Sequence, residues 1–268
     1  MADYTTRVLV IGNSHSMAFA TAYARRRDVG DHEELDRRFI VVNFPDWNPP
    51  VVDGRFSDKI LAEIDRDELR LVVSTFGGND HNALGLVNYP GRSFDFVLPE
   101  APDLPLEPNA EVLPVSLIEA TLRRRLRPAL RLMRLLRQET ALPIIHLESP
   151  PPIPSEEYIR NHPYGFEDLI AEHGVAPATL RYKLWRLHSS IVRDARDELR
   201  IRFVPAPRAM QDLDGMLVPD AWSGDPSHAN EVYGERLFRQ TLAVVARRFS
   251  ETSEKAELNS SSGERILV

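Results

Sequence analysis

The chain has 268 residues, no cysteine and a formal net charge of −7. Without cysteine there is no disulfide framework, no thiolate nucleophile and no cysteine-based zinc site. The acidic balance speaks against a general nucleic-acid binder. A chain of this length can bury one large core, and no low-complexity linker divides residues 1–249, so a single domain is expected there.

Val8-Leu9-Val10-Ile11 is a run of four apolar residues, three of them β-branched, and reads as a short strand buried on both faces. Gly12 ends it. Residues 17–27 carry Met17, Ala18, Phe19, Ala22 and Tyr23 before three arginines, which suits a helix with cations at its carboxyl end. Ser14 therefore stands on a strand-to-helix turn. There its hydroxyl is exposed and its amide lies near a helix amino terminus, as an acyl-transfer nucleophile requires. The same position also suits a helix cap, for Ser14 or for Ser16.

Residues 39–43 form the second predicted strand, followed by a Pro/Gly-rich loop over 44–54. Ser57 can cap a helix over 58–65. Residues 71–75 are the third strand, leading directly into Phe76-Gly77-Gly78-Asn79-Asp80. From 81 to 114 periodicity is lost and prolines accumulate, so an irregular insertion is expected, either a substrate-shaping lid or a plain surface excursion. Residues 115–140 are helical through Leu122, Leu126, Leu130 and Met133, with a kink or restart expected at Pro128. Its arginines from Arg123 to Arg137 read as a solvated face.

Residues 143–147 make a fourth strand and 148–152 a loop beyond it. Helices follow over 166–172 and 177–199, and a fifth strand over 201–204. The last helix, 230–249, is expected to bury Val232, Leu237, Phe238, Leu242 and Val245 or their neighbours. Residues 250–268 read as a disordered tail. Strands alternating with helices predict a doubly wound α/β fold with a five-stranded parallel sheet, whose ligands bind beyond the carboxyl ends of the strands.

The sharpest local signal precedes the last helix: Trp222-Ser223-Gly224-Asp225-Pro226-Ser227-His228. Asp225 and His228 are three apart, so the carboxylate can hold one imidazole nitrogen and leave the other to take a proton from a serine hydroxyl. Asp225 as a helix cap and His228 as an ordinary first-turn residue are the plain readings. No phosphate-loop or dinucleotide glycine pattern is present. Asp80, His81, Asp225 and His228 lack metal-ligand spacing, so neither cofactor nor metal is expected.

Taken in order, Gly12-Asn13-Ser14, Gly77-Gly78-Asn79-Asp80 and Asp225-Pro226-Ser227-His228 resemble blocks I, III and V of the SGNH (GDSL-like) hydrolase superfamily. Gly54-Arg55-Phe56-Ser57-Asp58 is similar, more loosely, to block II, and the prolines at 150–152 are similar to a run the family often shows. The resemblance implies a three-layer, flavodoxin-like sheet and a triad of Ser14 as nucleophile, His228 as base and then acid, and Asp225 orienting it. It implies an oxyanion hole from the backbone amides of Ser14 and Gly54 and the side-chain amide of Asn79. One departure is Asn13, where the family has aspartate: asparagine keeps shape and an acceptor but loses the charge.

The expectation is thus a serine esterase or deacylase acting on a small ester, with esterified sugars as one substrate class and selectivity sought in the 81–114 insertion. An O-acyltransferase using the same residues, and a non-catalytic protein that kept the fold, are the alternatives. The expected partner is a small-molecule ester, with no nucleic acid and no membrane, and the oligomeric state is open. No apolar run approaches 18 residues, and no basic segment leading into an apolar one opens the sequence, so a cytoplasmic protein is expected.

Overall fold

A computed structural model describes residues 7–28, 39–88, 91, 93–245 and 247. Its centre is a five-stranded, all-parallel sheet of β1 (Arg7–Gly12), β2 (Phe39–Asn43), β3 (Leu69–Thr75), β4 (Ile144–Leu147) and β5 (Arg202–Val204), in the order β2-β1-β3-β4-β5. This is the doubly wound α/β architecture that the alternating pattern predicts. Helices α1 (Ser16–Asp28), α2 (Asp58–Ile64), α3 (Asp80–Gly85), α4 (Val115–Glu139), α5 (Glu156–Asn161), α6 (Glu167–His173), α7 (Ala178–Glu198) and α8 (231–245) surround it. None is long and apolar enough to cross a membrane, among the described residues.

Strand β1 explains the layering. Its side chains alternate, so Leu9 and Ile11 pack into one core with α4 and α7, while Val8 and Val10 face a second core with α1 and α8. Because β2 lies on one side of β1 and β3 on the other, the order reverses at the carboxyl ends of β1 and β3, the place where such sheets bind ligands. Gly12 is required there. A Cβ on it would lie 1.9 Å from Thr75 Oγ1, so only glycine lets β1 and β3 close up at that edge.

Several expectations change. Helix α4 runs unbroken through Pro128. A proline inside a helix costs about 3 kcal/mol, but one face buries Leu122, Leu126, Ala129, Leu130, Met133 and Leu136, at about 1.5–3 kcal/mol for each large side chain. The insertion is not irregular throughout: it begins with α3 and contains a two-residue parallel pairing of Phe94–Asp95 with Glu111–Val112. Asp95 and Lys183, both fully buried, pin it to α7. Lys183 Nζ donates to both Asp95 oxygens and to Pro105 O, each at 2.9 Å, while Asp95 also accepts from the amides of Phe96 and Glu107.

Ser57 precedes α2, but its hydroxyl makes no cap bond. Asn230 caps α8, its Oδ1 accepting from the Val232 amide at 2.8 Å. The buried stripe of α8 is Tyr233, Leu237, Phe238, Thr241 and Val245, while Val232 is 40% exposed, so the inner face starts one residue later than the pattern suggests. The short helix α5 was not legible, since its few apolar residues show no period. The expected tail, 250–268, lies outside the described residues.

Candidate active site

Beyond β1 the chain turns through Asn13 and Ser14 into α1. The Ser16 amide donates to Asn13 O and the Met17 amide to Ser14 O, both at 2.9 Å, which closes the turn. Ser16 is buried and its hydroxyl donates to Asn13 O at 2.7 Å, so it locks the turn and does not cap the helix. Ser14 is half-buried, and its hydroxyl makes no hydrogen bond among the described residues. It faces a cavity of about 270 Å³, together with His15, Thr75, Glu148, Asp225, His228 and Tyr233 among others.

The 222–228 loop brings Asp225 and His228 to the same cavity. A Tyr158 hydroxyl bond to Ser223 O (2.8 Å) and the Trp222 indole bond to Leu217 O (2.8 Å) hold the loop from outside. Within it, Asp225 Oδ1 accepts from the amides of Ser227 (2.8 Å) and His228 (2.9 Å). The same carboxylate meets His228 Nδ1 at 3.0 and 3.1 Å through its two oxygens. Burial alone would raise the Asp225 carboxyl, but the hydrogen bonds from His228 and Ser227 outweigh it and hold the group well below the usual carboxylate range. An ionised Asp225 wants a proton on Nδ1. That leaves Nε2 of neutral His228 as an acceptor.

The Nε2 atom faces Asn79 Nδ2, 3.3 Å away. One assignment of the amide satisfies every contact. Its Nδ2 donates to His228, while its Oδ1 accepts from His15 Nε2 (3.2 Å) and Asn82 Nδ2 (3.3 Å). The His15 ring lies 5.2 Å from that of His228, and burial, then the neighbouring His228, lower its pKa to about 3. His15 thus stays neutral. Gly78 (φ +126°) lets it sit there, since a Cβ would come within 2.3 Å of the ring.

Four of the five expected residues, Ser14, Asn79, Asp225 and His228, therefore meet at one rim. Gly54 does not. It is the exposed turn of a two-residue hairpin joining Val51–Val52 to Arg55–Phe56, with φ +80°, and the nearest atom to a Cβ built on it belongs to Arg131 of α4, 4.0 Å away. The insertion is absent too, for no residue of 81–114 lines the cavity among those described. Among the described residues, no three His, Asp or Glu side chains converge in a way that would hold a metal ion.

Sequence reasoning placed Glu148 in a loop beyond a strand end but gave it no role, and it missed Thr75 and Tyr233 as parts of the cavity wall. Thr75 and Glu148 were findable, as the last residue of β3 and the first beyond β4. Arg181 fixes the Glu148 loop from below: fully buried, it donates to the carbonyls of Ile153, Pro154 and Ala176, and burial lowers its pKa to about 10.

No protein-family model matches the sequence, and no curated protein sequence is similar to it. Solved structures are similar over most of the chain. They include a GDSL-like lipase from Bacteroides thetaiotaomicron (12% identity, 92% of this chain and 91% of that one, TM-score 0.44). Another is the periplasmic domain of a lipopolysaccharide acetyltransferase from Salmonella ser. Paratyphi A (13%, 90% and 84%, TM-score 0.48). A third is a variant of an acetyl xylan esterase from Geobacillus stearothermophilus (16%, 89% and 93%, TM-score 0.37). At these identities the likeness is one of fold. The five-stranded parallel sheet is the doubly wound one expected from the sequence.

Proposed function

We propose that the protein is an SGNH-type serine hydrolase that cleaves a small ester through Ser14, His228 and Asp225. The supporting observation is the Asp225–His228 pair, at 3.0 Å, in the cavity that Ser14 also lines. An ionised carboxylate on Nδ1 fixes the tautomer whose Nε2 can accept a proton. In the first half-reaction Ser14 Oγ attacks the ester carbonyl carbon and its proton passes to Nε2. The tetrahedral intermediate collapses, the bond to the alcohol oxygen breaks, and the imidazolium returns the proton to that oxygen. Water repeats the sequence on the acyl-enzyme, releasing the acid and restoring Ser14.

Asn79 has two amide hydrogens and so two uses. In the resting site one is held by the lone pair of His228 Nε2. Nε2 has one lone pair, so that hydrogen leaves it as the Ser14 hydroxyl takes its place, and is then free for the negative charge that develops on the carbonyl oxygen. The Ser14 amide, at the amino end of α1, is the second donor of this oxyanion site. Gly54, which does not line this cavity, is left out of the proposed site.

A fluorophosphonate probe tests the reading directly. Labelling of the wild type, lost in Ser14→Ala and His228→Ala, is the expected result. Folded wild-type protein that resists the probe would overturn it.

A further inference from the structure

Three residues that line the cavity, Thr75, Glu148 and Tyr233, each have a buried polar side-chain atom without a hydrogen-bond partner among the described residues. Tyr233 of α8 is 1% exposed, and its hydroxyl has no hydrogen-bond partner among the described residues. Glu148, just beyond β4, is 5% exposed. Its Oε2 accepts from the Ala206 amide at 2.8 Å, but Oε1 has no partner among the described residues. Both residues line the cavity that holds Ser14 and His228.

Buried polar groups are nearly always paired, and an unpaired one costs a substantial part of its desolvation free energy. One orphan is tolerable strain. Three on residues of one ligand-sized cavity are harder to explain that way, and Glu148 and Tyr233, one an acceptor only and the other a hydroxyl able to donate, form a complementary pair. The two groups are also near enough to sense each other electrostatically: burial, and then the charge of Glu148, push the Tyr233 phenol well above its ordinary pKa, so it stays protonated and able to donate.

We infer that Glu148 and Tyr233 form a subsite for a free hydroxyl on the substrate, so that the preferred ester is one whose alcohol part carries a second, unesterified hydroxyl. That hydroxyl donates to Glu148 Oε1 and accepts from the Tyr233 hydroxyl, satisfying both atoms through a single oxygen. An ammonium could donate to both but could not accept from tyrosine, and an ether or alkyl chain leaves the carboxylate oxygen unpaired. Discrimination against an analogue lacking the hydroxyl is then large, because the site's own buried groups are stranded. This assignment rests on the esterase reading of the cavity.

Two measurements separate the inference from that reading. The first compares kcat/KM for a monoacetylated methyl glucopyranoside with that for its fully O-methylated counterpart, which has the same acyl group and no free hydroxyl. The wild type should favour the hydroxylated ester by at least tenfold, and Glu148→Gln and Tyr233→Phe should each lower that ratio by tenfold or more. The second needs no turnover: calorimetric binding of both compounds to Ser14→Ala. Tenfold tighter binding of the hydroxylated compound, lost on adding Glu148→Gln, supports the subsite even if no hydrolysis is found. Equal binding of the two compounds overturns it even if the enzyme is a competent esterase.

Folding separates function from structure. Tyr233→Phe removes a hydroxyl that has no partner among the described residues, so its Tm should hold or rise while selectivity falls. A clear drop in Tm would mark the hydroxyl as structural and remove it from the subsite.

Discussion

At the scale of single residues, the site is governed by which atom holds which proton. Asp225 stays ionised far into acid, held by His228 and the Ser227 amide and hydroxyl. Asp225→Asn keeps the shape but no longer requires a proton on Nδ1, so turnover should fall by about 10⁴-fold, with little change in Tm; retention of full activity would remove Asp225 from the triad. Asn79→Ala should lower kcat by about 10²–10³-fold if its amide meets the oxyanion, as steady-state kinetics would read. Activity should rise with pH through the titration of a histidine, because only neutral imidazole can take the serine proton. A flat profile across that range would exclude the histidine as base. Because Asp225 is already charged throughout, no second, carboxylate limb is expected within the same range.

At the scale of elements, the insertion is held by a device unrelated to the chemistry. The Asp95–Lys183 pair is wholly buried, and each charge depends on the other. Removing one partner leaves an uncompensated charge in the interior, so Asp95→Ala should cost about 3–5 kcal/mol, measurable by urea denaturation. Loss of less than about 1 kcal/mol would mean that water reaches Lys183. The effect on substrate preference should be small, since the cavity wall comes from the ends of β1, β3 and β4, the 222–229 loop and α8. Helix α4 teaches the same lesson about competing terms. A proline rule that holds for an exposed helix yields when one face buries a continuous apolar stripe.

At the scale of the whole molecule, acid stability follows from histidines in the interior. His81, His146 and His188 are buried, and burial is the leading cause that lowers all three, His146 to about 3 and His188 to about 4. Their rings are neutral in the fold, yet each takes up a proton near pH 6.5 once the chain unfolds. The unfolded state therefore binds more protons as pH drops below about 6.5, and stability falls from there toward about pH 4, by up to about 1.4 kcal/mol per pH unit for each such histidine. Above that range the contribution is fully present. Thermal melts from pH 7.5 to 4.5 should show this slope. His188→Leu should flatten it with no loss at neutral pH, because neither ring nitrogen of His188 has a hydrogen-bond partner among the described residues. An unchanged slope would place the acid-labile groups elsewhere.

Read along the chain, the residues determined whatever depends on near neighbours. These are the strands with their turns, the α/β alternation and, three apart in one loop, the Asp225–His228 relation. Ser14 and Asn79 were legible for the same reason, each standing just past a strand whose end could be placed. Gly54 was less legible, because a glycine with positive φ is the same signal in a hairpin turn as in a substrate loop. Only the tertiary structure decided which side chains from distant segments share a wall. Glu148 and Tyr233 lie in segments 85 residues apart. Their meeting depends on the order of strands in the sheet and on the rotational setting of α8, quantities set by long-range packing that no local pattern encodes.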